Sequence, residues 1–197
     1  MDNFKLIAIT PEYSFAHEVE YVTHILDAGF DYVHIRKPGM AENQVSTLIE
    51  SIPSQYYKRL KLNDFFPLAK KYGLAGVHLN HRNPRVPDDF HGKISKSCHA
   101  IGELCDIETF EYVFLSPIFD SISKAGYHSN FSEEMIEGKV SRQVIALGGI
   151  TAERLSVIKA MGFGGAAFLG YLFNSSTVNE LDAKLESIKN QIICYNL

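Results

Sequence analysis

The chain has 197 residues, 46% hydrophobic and 21% charged, which excludes a disordered polar polymer and suits one good-sized core spanning residues 1–197 as a single domain. The formal net charge is −4 and the lysines and arginines are scattered, so a dedicated nucleic-acid binder is not expected and small molecules are the expected partners, with a homo-oligomer left open. No segment approaches the roughly 20 apolar residues of a membrane span, and MDNFKLIAIT has too short an apolar run for a signal peptide, so no membrane partner and a cytoplasmic location are expected.

Short apolar or β-branched runs mark the strands. In the first half they are KLIAI near Lys5, YVHIR at Tyr32–Arg36, RLKL at Arg59–Leu62 and GVHL at Gly76–Leu79. The second half adds KISKS at Lys93–Ser97, YVFL at Tyr112–Leu115, QVIAL at Gln143–Leu147 and GAAFL at Gly165–Leu169. Helical patterns fall at Ala16–Ala28, Glu42–Ile52, Phe65–Tyr72, Thr151–Met161 and about Val178–Ile193, the last with Leu181, Leu185 and Ile188 on one face. Pro84 and Pro87 shorten the connection after the fourth strand, and the crossovers after strands four and five are expected to be single turns or missing.

Strands that alternate with helices are parallel, and eight such units close naturally into an α/β (β/α)8 TIM barrel, here compact against the usual size of about 250 residues. An open doubly wound sheet is the competing architecture. In the barrel, chemistry sits at the C-terminal strand ends, and phosphate commonly binds the loops after strands seven and eight. Gly148 and Gly149 end strand seven before a helix, and Gly170 follows strand eight. Bare backbone N–H groups there can wrap an anion, or the glycines simply permit tight turns.

The other strand ends contribute His34 and Arg36, Asn63 and Asp64, His78 and His81, Ser97 and His99, and the loop SPIFDSISK. All are expected at one mouth. Arg36 can hold an anion through its planar fork, Asp64 can bind magnesium, and Ser121, Ser123 and Lys124 can clamp phosphoryl oxygens. Plainer roles are that Arg36 pairs with Asp64 and that Asn63 caps the following helix. The long segment 116–132 is read as a lid. His99 can carry protons near neutral pH, whereas His78, His81 and His99 lack the spacing of a known metal site. Cys98, Cys105 and Cys194 are odd in number with no CxxC spacing, so no disulfide framework or redox chemistry is assigned to them.

Six motifs in order, HIRKPG, LND, GVHL, SKSCHA, SPIFDSISK and IALGGI, resemble the thiamine phosphate synthase family with its TenI-like branch, from strand two to strand eight. The resemblance implies a (β/α)8 transferase that joins hydroxymethylpyrimidine pyrophosphate to thiazole phosphate with release of pyrophosphate. It implies that Arg36, Asn63, Ser121, Ser123 and Lys124 meet the pyrophosphate or pyrimidine, and the strand-end residues His34 and Ser97 are further substrate-binding candidates. It further implies that Asp64 holds Mg2+, and that Gly148, Gly149 and Gly170 seat the thiazole phosphate. The chain departs from the family pattern at Pro38, where a pyrophosphate-binding lysine is usual and neighbouring Lys37 is the substitute. It departs again at Asn83, where a second magnesium carboxylate is usual and where the amide carbonyl is expected to coordinate Mg2+ beside Asp64 without bringing a negative charge. TenI-like relatives imply instead a metal-free thiazole tautomerase with His99 as acid and base, and a non-catalytic thiazole phosphate binder is the third reading.

Overall fold

A computed structural model describes residues 4–120 and 131–196. Eight strands run parallel: β1 (Lys5–Ile9), β2 (Tyr32–Ile35), β3 (Leu60–Leu62), β4 (Gly76–Leu79), β5 (Lys93–Cys98), β6 (Tyr112–Leu115), β7 (Val144–Leu147) and β8 (Gly165–Phe168). Each pairs with the next, and β8 returns to β1 in the register Lys5↔Gly165 to Ala8↔Phe168, closing the barrel. The open-sheet alternative is thereby excluded.

The helices are α1 (Glu18–Asp27), α2 (Glu42–Ser51), α3 (Phe66–Lys71), α4 (Glu133–Ile136), α5 (Leu155–Ala160), α6 (Gly170–Phe173) and α7 (Val178–Tyr195). In α7, Thr177 caps the first turn by accepting from the Glu180 N–H, and Leu181, Leu185 and Ile188 are buried as their spacing requires. Two helices start later than their periodicity suggests, because His17 (φ 66°) and Phe65 (φ 53°) occupy the left-handed region just before α1 and α3. The helix expected over 151–161 opens as a 3-10 turn, Ala152–Arg154, before α5. Between β4 and β5 there is no helix, and between β5 and β6 only the 3-10 turn Ile101–Leu104, as the prolines and short spacing predict.

Strands buried on both faces carry two kinds of side chain. Leu6, Ala8, Val33, Ile35, Leu60, Leu62, Val113, Leu115 and Ala166 join the layer beneath the helices, while Ile7, Ile9, Tyr32, Tyr112, Phe114, Ile145 and Ala167 fill the lumen. The lumen is not uniform. Toward β1, β7 and β8 it is aliphatic, whereas toward β2 to β5 it holds the fully buried His34, Lys61, His78 and Ser95. That asymmetry sets up the site above it.

Candidate active site

The polar side of the lumen is hydrogen-bonded throughout, which is the condition for burying such groups at all. Tyr112 donates to His34 Nε2 (2.6 Å), and His34 Nδ1–H donates to Asn63 Oδ1 (3.0 Å). His78 donates from Nδ1 to Ser95 Oγ (2.9 Å) and accepts at Nε2 from Ser97 (2.8 Å). Burial, reinforced for each by nearby positive charge, drives both imidazoles downward, His34 well below its usual range and His78 to about 3. Both are therefore neutral at pH 7. Below them, burial lowers Lys61 to about 8 even though Glu111 accepts from it at 2.7 Å, and its ammonium lies 4.2 Å from the Tyr112 ring centroid.

Two arginine–carboxylate pairs stand at the C-terminal strand ends. Arg36, one residue past β2, donates from Nη1 to Glu12 at 2.7 Å, and its own N–H donates to Thr10 Oγ1 at 3.0 Å. Arg82, in the loop after β4, leans on Asp64 with contacts of 3.2 to 3.5 Å. Arg36 thus pairs with Glu12 and not with Asp64, since the loop after β1 brings Glu12 closer to its fork. Asn63 does not cap α3, because His34 takes its side-chain oxygen.

His34 was expected at the mouth, but it is 0% exposed and supports Asn63 from below. Ser97 is half-buried and tied to His78. Lys37 was expected to substitute for the missing pyrophosphate lysine. It is 1% exposed, pairs with buried Glu18 at the start of α1 (2.5 Å), and donates to the carbonyls of Pro11 (2.8 Å) and Tyr13 (2.7 Å). Its three protons are committed within the protein, so Lys37 anchors the loop after β1 to α1. His99 is exposed, with Nδ1 3.2 Å from the Ser116 carbonyl and 3.3 Å from its hydroxyl. Ser121, Ser123 and Lys124, with most of the proposed lid, lie outside the described residues.

Gly148 (φ 97°) and Gly149 (φ 64°) both occupy the left-handed region. A Cβ on Gly148 would sit 2.8 Å from Pro117, and one on Gly149 would sit 2.3 Å from the Asp120 carbonyl. The glycine pair is needed for the β6 loop to close over β7, whatever else its amides hold. Arg154, which the sequence reading passed over, donates to the Gly149 carbonyl and stacks over Phe119 at 4.5 Å. Gly170 begins α6 directly above β8.

Magnesium is a hard cation that wants carboxylate oxygens, and the residues assigned to it do not offer them as arranged. Asn83 turns an N–H toward Asp64 Oδ1 (2.9 Å), and the same oxygen accepts from Arg82. No group of three or more His, Cys, Asp or Glu side chains is placed to share an ion among the described residues. Asp64 and Asn83 are brought together, but as acceptor and donor.

A closed (β/α)8 barrel whose mouth sets arginines on one side and glycine-built strand ends on the other has the architecture of a barrel enzyme with its site at the C-terminal strand ends. The sequence profile described as thiamine monophosphate synthase matches residues 6–171, and the chain belongs to that family. A thiamine-phosphate synthase from Photorhabdus laumondii is 26% identical, covering 88% of this chain and 87% of that one. The solved thiamine phosphate pyrophosphorylase of Bacteroides thetaiotaomicron is 32% identical, superposes with a TM-score of 0.86, and covers 95% of this chain and 97% of its own. The pyrophosphorylase of Pyrococcus furiosus, at 17% identity and TM-score 0.73, shares the fold over 98% of both chains.

Proposed function

We propose that the protein is a thiamine-phosphate synthase, a transferase that couples a pyrimidinylmethyl diphosphate to a thiazole phosphate and releases diphosphate. The observation that carries this reading is Arg36, held at the mouth by Glu12 and Thr10 across from the glycines of β7 and β8, in a chain of this family. The relatives' names support the synthase over the tautomerase. The tautomerase reading rests on His99 together with the departures at Pro38 and Asn83, and His99 is a residue that both activities share.

The chain's own residues suit a dissociative substitution. Arg36 exchanges Glu12 for diphosphate oxygens, a swap of one charge-assisted fork for another. Asn63, its oxygen fixed by His34, offers the amide N–H to the substrate, and Ser97 lines the adjacent wall. The resemblance adds Ser121, Ser123 and Lys124 to the diphosphate contacts. As the carbon–oxygen bond breaks, its electron pair leaves with the diphosphate, and the thiazole nitrogen donates its lone pair to the methylene carbon. The amides of Gly148, Gly149 and Gly170 hold the thiazole phosphate so that the nitrogen faces that carbon. Neutral His34 and His78 matter here, because an imidazolium beneath a forming carbocation would raise its energy. Magnesium belongs to the expectations for the family, but the arrangement of Asp64 and Asn83 gives no step to route through it.

Incubation with both substrates should yield thiamine phosphate and diphosphate in equal amounts. Arg36→Met should lower kcat/KM by about 100-fold or more, the worth of a lost charge-assisted pair at a transition state. His99→Ala should leave synthesis within several-fold of wild type, and the protein should not isomerise the thiazole carboxylate phosphate. Isomerisation that collapses in His99→Ala, with no synthesis, would replace this reading by the tautomerase.

A further inference from the structure

The loop after β4 is wired to present one cation. Asn80 donates its amide to the carbonyls of Asn63 (2.7 Å) and His78 (3.2 Å), and its oxygen accepts from the N–H groups of Arg82 (3.0 Å) and Asn83 (3.3 Å). Asn83 adds a bond to the Asn63 carbonyl (3.0 Å) and one to Asp64 (2.9 Å). Four residues of loop are thus fixed to the end of β3, and Arg82 is held over Asp64 by its backbone as well as its side chain.

The arginine is only partly spent. Nε and Nη2 lean on Asp64 at 3.2 to 3.5 Å, longer than the roughly 2.7–2.9 Å of a tight charge-assisted pair and longer than the 2.7 Å between Arg36 and Glu12. Nη1 has no hydrogen bond among the described residues. The Arg82 side chain is 42% exposed while that of Asp64 is 9% exposed. Together with Phe65, Asn83, Pro38, Pro87 and, on the α2 side, the carboxylate of Glu42, they are among the residues that line an open groove of about 540 Å³. A guanidinium offers five N–H donors, so one edge can remain on the carboxylate while the other meets an oxyanion.

Charge bookkeeping points the same way. A carboxylate pair around a divalent ion and a single carboxylate beside an arginine both sum to zero before an anion arrives. Asn83 supplies no second negative charge and faces Asp64 through a donor. We propose that Arg82, held by Asp64 and the Asn80 turn, takes the place of a divalent cation as the fixed positive charge for the leaving diphosphate, so that this chain binds diphosphate without magnesium. The inference rests on the synthase reading for the identity of the anion, but not for the charge and donor geometry.

Calorimetric titration with inorganic pyrophosphate in the presence of EDTA tests it. Wild type should bind, and Arg82→Gln should weaken binding about 10- to 100-fold, as expected for one hydrogen-bonded charged contact. Arg85→Gln, removing a neighbouring cation of the same loop, should not. The double variant Arg82→Gln/Asn83→Asp gives Asp64 a second carboxylate, and should lose binding in EDTA and regain it with added magnesium. Wild-type binding that appears only with magnesium, or binding equal in wild type and Arg82→Gln, overturns the proposal. So does no binding under either condition. Running the synthase assay alongside separates the two readings: synthesis that requires magnesium keeps the synthase and removes the role of Arg82. Binding in EDTA that depends on Arg82, without synthesis, keeps that role and removes the synthase.

Discussion

The two sides of the barrel interior are built on opposite principles. Toward β1, β7 and β8 the lumen is Ile7, Ile9, Ile145 and Ala167, and the mouth above it is shaped by backbone, with Gly148 and Gly149 in conformations that side chains resist. Toward β2 to β5 it is a hydrogen-bonded set of His34, Lys61, His78, Ser95 and Tyr112, and the mouth above it is shaped by side chains, Arg36 and Arg82 among them. Backbone amides fix one small anion with little adjustment. Arginines lent to carboxylates can be given up to a second anion that must later depart. A reaction that holds a phosphate while expelling a diphosphate needs both kinds of surface in one mouth.

The comparison can be broken at several points, beginning with the largest effect. Lys37→Met strands Glu18 in the interior and should cost about 3–5 kcal/mol of stability. Chemical denaturation measures that loss, and diphosphate affinity of the folded variant should fall far less than in Arg36→Met, because Lys37 acts only through the loop that carries Glu12. The pH dependence of stability comes next. His34 and His78 have folded pKa values below the unfolded value near 6.5, so the unfolded chain binds more protons. The full stability is present above about pH 6.5 and falls as pH drops, for His78 down to about 3, at up to about 1.4 kcal/mol per pH unit for each histidine. Urea titrations at pH 7 and pH 5 should show it, and His78→Asn should remove roughly half the slope.

Gly149→Ala, on the backbone-shaped side, should cost about 2–3 kcal/mol through a strained φ and the contact with the Asp120 carbonyl. An alanine tolerated there without loss would mean that the β6 loop does not lie over β7 as described. The smallest effect is expected from Tyr112→Phe, which leaves His34 Nε2 without its donor and should cost about 1–2 kcal/mol. It should also raise KM for the pyrimidine substrate more than it lowers kcat, because Asn63 loses its fixed orientation.

Much of the fold was legible because strands buried on both faces read as short apolar runs, and all eight stand where those runs fall. The strand-end rule also placed Arg36, Asn63, Asp64 and the glycines at the C-terminal strand ends, where the structure has them. It failed for Lys37, although the signal was present: adjacent residues leaving a strand point to opposite sides, so the neighbour of an arginine at the mouth belongs to the outer layer. It overlooked Glu12 and Arg82, whose importance depends on which loops meet in space. No local pattern tells that Glu12 reaches Arg36 across 24 positions or that Arg82 shares Asp64 with Asn83. The double glycine was read as an anion wrap or a tight turn, and the backbone that comes closest to it is the loop 117–120.

The division of labour across the mouth is tested most directly by a crystal structure of the protein with pyrophosphate and thiazole phosphate bound together. The account predicts pyrophosphate against Arg36 and Arg82, and the thiazole phosphate group on the amides of Gly148, Gly149 and Gly170. Both anions on one side, or the two exchanged, would contradict it.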